Sequence, residues 1–68
     1  MNGTEFIKQA RRYAKRVGQD FRIDARRGKG SHAILYIGER RTTVQRGELK
    51  PGTFRNMLRQ LKIRKEDF

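Results

Sequence analysis

A chain of 68 residues has room for one compact domain, spanning 1–68 with an ordered core expected over about 4–63, and its high surface-to-volume ratio excludes a second core. Eighteen lysines and arginines against seven acidic residues give a formal net charge of +11, beyond the magnitude of about 2 to 8 that solubility asks of a small domain, so a polyanion, nucleic acid first, is the expected partner. The absence of cysteine excludes a disulfide framework and a thiolate metal site, and no apolar run exceeds the five residues Ala33 to Ile37, against roughly 18 to 20 for a membrane span and 7 to 15 for a signal-peptide core. The expected setting is the cytoplasm, without a membrane. With 34% hydrophobic and 37% charged residues, apolar burial leaves only about 3 to 5 kcal/mol of net stability.

Phe6, Ile7, Ala10, Tyr13, Ala14 and Val17 recur at steps of three and four, which predicts an amphipathic helix with Thr4 as candidate N-cap and Gly18 as its stop. Lys8, Arg11, Arg12, Lys15 and Arg16 fill its other face. A basic amphipathic helix also suits an anionic membrane surface, but an apolar stripe is more simply the side that packs on the domain's own sheet. From Asp20 to Ala25 the period changes to two, with Phe21, Ile23 and Ala25 alternating against Arg22 and Asp24, as in a half-buried strand. Arg26, Arg27, Gly28, Lys29 and Gly30 form a basic turn, Ser31 to Ile37 a second strand, Gly38-Glu39 a tight turn, and Arg40 to Gln45 a third strand. After a loop over 46–52, Phe54, Met57, Leu58 and Leu61 mark a second helix, either capped by Thr53 or carrying Pro51 in its first turn. The charged tail from Arg64 to Phe68 is expected to fray.

The order α-β-β-β-α implies an α+β two-layer domain: a three-stranded antiparallel sheet with both helices on one face, the only large apolar partner for their stripes. Placing Phe21, Ile23, Leu35, Ile37 and Val44 toward the helices sends His32, Ile34 and Tyr36 to the open face, and a one-residue slip inverts that assignment.

His32 is the only side chain whose ordinary pKa lies near neutrality, and so the only ready general base. The acidic residues form no cluster that one histidine completes into a metal site, so neither metal nor cofactor is expected. Ser31 and His32 are neighbours on a strand and point to opposite faces, which excludes a triad with Asp24. RNA, however, brings its own nucleophile. If His32 takes the proton of a ribose 2′-OH, that oxygen attacks the adjacent phosphate and leaves a cyclic phosphate, a path closed to DNA. Arg26, Arg27 and Lys29, with the backbone amides of Gly28 and Gly30, are placed to bind the phosphate. Against this, a lone histidine at a strand start is more often a polar surface residue, and a basic turn often only a solvated hairpin tip. The Gly-Lys-Gly stretch is too short for a P-loop.

Gly28-Lys29-Gly30-Ser31-His32 at the second strand, followed by Glu48-Leu49-Lys50-Pro51-Gly52-Thr53-Phe54-Arg55 entering the last helix, resembles the HicA family of messenger-RNA interferase toxins. Those proteins carry a Gly-Ser-His element and a Leu-Lys-x-Gly-Thr-hydrophobic-Arg segment in that order, and the resemblance covers roughly residues 4 to 63. It implies a double-stranded-RNA-binding-domain-like fold, cleavage of messenger RNA that blocks translation, neutralisation by a HicB-type antitoxin, and an essential histidine, here His32. Candidate RNA contacts are then Arg26, Arg27, Gly28, Lys29, Gly30, Ser31, Arg41 and Lys50. Many relatives have a second histidine directly after the first and another before the final helix; this chain has Ala33 and Arg46-Gly47-Glu48 there.

The competing reading is a non-catalytic RNA-binding module, and a weaker one a small basic DNA-binding or protein-interacting factor. Salt-dependent affinity without product marks a binder.

Overall fold

The computed structural model describes residues 1–25 and 32–68. Its elements run α1 (Gly3–Val17), β1 (Phe21–Asp24), β2 (His32–Ile37), β3 (Arg40–Gln45) and α2 (Pro51–Leu61), closed by a short 3-10 turn (Lys65–Asp67). The order and the antiparallel sheet, β1-β2-β3, are those expected from the sequence.

Helix α1 is capped two residues earlier than expected. Asn2, not Thr4, is the N-cap, its Oδ1 accepting from the Glu5 N–H at 2.9 Å; both residue types cap well, and a non-local contact decides between them, because Asn2 bridges to Glu48 and the Gly3 N–H donates to the Gly47 carbonyl at 3.1 Å. Gly18 ends the helix at φ 73°, a left-handed conformation that glycine adopts without a Cβ clash. Phe6, Ala10 and Ala14 are fully buried, but Val17 is 45% exposed. By helical angle Val17 lies on the same stripe, so its exposure comes from standing in the last turn, past the covered part of the core.

Helix α2 starts with Pro51 in its first turn and Lys50 as N-cap, which settles the alternative left by Thr53. Proline suits that position because its missing N–H has no helical partner there. The helix ends on Lys62 in the left-handed region (φ 55°), with Ile63 N–H donating to the Leu58 carbonyl at 2.9 Å and the Ile63 side chain buried beyond it.

One core joins Phe6, Ala10 and Ala14 of α1, Met57, Leu58 and Leu61 of α2, and Leu35, Ile37 and Val44 of the sheet, with Phe21 and Ile23 packed at its margin. Both helices therefore cover the same sheet face. The tail does not fray as expected: Phe68 packs on Phe6 (centroids 4.9 Å) and Phe54 (5.9 Å), and the Arg16 guanidinium donates to the Asp67 carbonyl.

Candidate active site

The two-residue turn Gly38-Glu39 sets the register of β2 on β3. Gly38 alone in it has positive φ (60°), as the first position of a type II′ hairpin turn requires. Ile37 then pairs with Arg40, and stepping outward pairs Tyr36 with Arg41, Ile34 with Thr43 and His32 with Gln45. On the other side β1 pairs Arg22 with Tyr36 and Asp24 with Ile34. Alternation does the rest: Ala33, Leu35 and Ile37 are buried, whereas His32, Ile34 and Tyr36 are half-buried on the opposite face.

That face is ordered in rows. Arg22, Tyr36 and Arg41 form one, Asp24, Ile34 and Thr43 the next, and His32 with Gln45 the third. His32 thus stands on the sheet face turned away from both helices, at the first residue of β2, and not beneath them. Its Nε2 lies 2.8 Å from Nε2 of Gln45. With the amide NH2 donating, Nε2 accepts through its lone pair; with the amide turned over, Nε2–H donates to the carbonyl oxygen. Either orientation ties the ring plane to β3 and separates the roles of the two ring nitrogens.

The other expected site residues fall in three places. Arg41 is exposed on the open face, two rows from His32. Lys50 is exposed at the N-cap of α2 and is not on the sheet. Arg26, Arg27, Gly28, Lys29, Gly30 and Ser31 lie outside the described residues. Gln45 and Arg22 join the site without having been among the residues expected there. Both were accessible from the sequence: a two-residue turn at 38–39 already pairs 45 with 32, and the β1 alternation puts Arg22 on the same face as Tyr36. Among the described residues no three histidine, cysteine or acidic side chains converge as a metal site would need, and no helix is long and apolar enough to cross a membrane.

A family model described as HicA toxin of bacterial toxin-antitoxin matches residues 7–63. The chain belongs to the HicA toxin family. The match runs from the first helix through the open-faced sheet to Ile63 behind α2, so it includes His32, Gln45 and the whole core-forming stripe of α2. As a member of the HicA family the chain is a toxin of the toxin–antitoxin type, with an antitoxin as its general class of partner. Comparisons with curated proteins and with solved structures gave no match.

Proposed function

We propose that this HicA-family chain is a metal-independent endoribonuclease that cleaves messenger RNA, with His32 as its general base, and so blocks translation in the cytoplasm until a HicB-type antitoxin neutralises it. The observation that carries the reading is the placement of the sole histidine: on the open sheet face, held by Gln45 at 2.8 Å, in a chain of net charge +11.

The chemistry needs only what the side chain and the substrate provide. His32 takes the 2′-OH proton; the O2′ oxygen forms a bond to the adjacent phosphorus as the bond from phosphorus to the 5′-oxygen breaks; the leaving oxygen takes up a proton. The products are a 2′,3′-cyclic phosphate and a 5′-hydroxyl. A correctly placed general base contributes about 10²- to 10⁴-fold to such a step. Arg41 on the same face, the sequence neighbours Arg26, Arg27 and Lys29, and Lys50 are the cations assigned to the phosphates, with the amides of Gly28 and Gly30 and the Ser31 hydroxyl supplying further donors. An antitoxin that covers the His32, Ile34 and Tyr36 face would silence the enzyme by occlusion.

Purified protein incubated with RNA in EDTA should give discrete products, an all-deoxy oligonucleotide of the same sequence none, and the His32→Ala variant none. Cleavage that survives His32→Ala removes His32 from the mechanism. The exposed cations Lys8, Arg11, Arg12, Lys15 and Arg16 on α1 favour a second reading, a non-catalytic RNA-binding module; it predicts steeply salt-dependent affinity, no product, and affinity unchanged by His32→Ala.

A further inference from the structure

We infer that Tyr36 and Arg22 form a stacking platform for an unpaired RNA base, on the same sheet face as His32 and at a fixed distance from it. The inference rests on the RNA-directed reading above and adds the strandedness of the substrate and a subsite for it. Arg22 carries its guanidinium over the Tyr36 ring, Cζ 4.2 Å from the centroid, and Arg41 is the cross-strand partner of Tyr36 on β3. Among the described residues neither arginine makes an ion pair. The arrangement suits an anionic, flat ligand, because the ring and the guanidinium plane both present π-faces and the second arginine is free to meet a phosphate.

The surroundings have room for such a ligand. A hollow of about 360 Å³ lies beside the ring, lined by Asp20, Phe21, Arg22, Tyr36 and Gly38, and another of about 360 Å³ lies on the β3 side, lined by Ile34, Arg41 and Thr43 with Thr42 and Gln60. Ile34 gives the second an apolar wall. Along β2, Tyr36 is four residues from His32, or ~13 Å at the rise of an extended strand. A single strand laid along β2 therefore brings a phosphate to His32 while a base a few nucleotides away reaches Tyr36. A duplex fails this geometry, because its bases are stacked on one another and an A-form major groove is too narrow to admit side chains.

The test uses the full chain carrying His32→Ala, so that affinity is read without cleavage, with a fluorescently labelled single-stranded RNA of mixed sequence in EDTA. Tyr36→Leu added to it should weaken binding by about 5- to 100-fold and Tyr36→Phe by less than about twofold, because stacking and not the hydroxyl carries the contact. The salt dependence of binding should be unchanged by Tyr36→Leu and lessened by Arg41→Ala, which removes a phosphate contact. A second arm alters the RNA instead: in a set of oligonucleotides each with one abasic nucleotide, one position should weaken binding as much as Tyr36→Leu does. Equal affinity of the Tyr36→Leu protein, indifference to every abasic position, or equal binding of the fully paired duplex overturns the platform. Cleavage that does not depend on His32 would instead overturn the catalytic reading and leave these affinities standing.

Discussion

Gly3→Ala adds one methyl group where the N-terminus of α1 meets the end of β3. An ideal Cβ on Gly3 lies 1.6 Å from the Gln45 carbonyl oxygen, 2.6 Å from its carbon and 3.0 Å from the Arg46 Cα. All three are backbone atoms, so no rotamer change relieves the contact, and the 1.6 Å gap must open to at least the 3.4 Å of ordinary contact. Opening it pulls on the Gly3–Gly47 hydrogen bond and on the Asn2–Glu48 bridge. Overpacking of this kind costs about 1 to 3 kcal/mol, while alanine returns at most about 1 kcal/mol of helix propensity. The net expectation is a loss of about 1 to 2 kcal/mol, a large share of the stability open to so small a domain. Gly52→Ala is the matched control: it too lies in the first turn of a helix, but its Cβ meets nothing within 4 Å, so the same chemical change should be neutral or stabilising by up to about 1 kcal/mol. Urea denaturation should lower the midpoint of Gly3→Ala by about 1 to 2 M and leave that of Gly52→Ala level or raised. A Gly3→Ala protein as stable as the parent would refute the close approach.

Phe68→Ala should cost about 2 to 3 kcal/mol and lower the melting temperature by about 10 °C or more, because it removes both aromatic contacts that fasten the tail; an unchanged melting temperature would mean that the tail frays after all. Lys62→Gly should stabilise by about 0.5 to 1 kcal/mol in the same measurement, since a lysine at φ 55° carries a left-handed penalty that glycine avoids. Gln45→Leu should lower kcat by about ten- to a hundredfold while KM stays nearly constant, because the 2.8 Å contact holds the ring and not the RNA; a rise in KM alone would make Gln45 an RNA contact instead.

The elements legible in the sequence were those written in local patterns. Steps of three and four gave both helices, Gly18 gave the first stop, and the alternation around Leu35 sent His32, Ile34 and Tyr36 to the open face. What escaped the reading depended on contacts between distant residues. Thr4 and Asn2 are equivalent caps until Glu48 pairs with Asn2, and Phe68 looks like the end of a charged tail until Phe6 and Phe54 close around it. Val17 matched the stripe in angle and still missed the core, because periodicity records direction and not how far the sheet extends. At the candidate site, the face that His32 occupies was legible from strand alternation. Gln45 and Arg22 were equally within reach, since the two-residue Gly38-Glu39 turn pairs 45 with 32 and the β1 alternation puts Arg22 on the face of Tyr36.

The chemistry assigned to His32 is tested most directly by a substrate that differs at one oxygen. In EDTA, an RNA oligonucleotide carrying a single 2′-deoxy nucleotide immediately 5′ of a mapped cleavage position should be spared at that linkage, while the all-ribose parent is cut there to a 2′,3′-cyclic phosphate and a 5′-hydroxyl. Cutting at the deoxy linkage, or a parent product ending in a 5′-phosphate, would show that the ribose oxygen is not the nucleophile and would contradict the account.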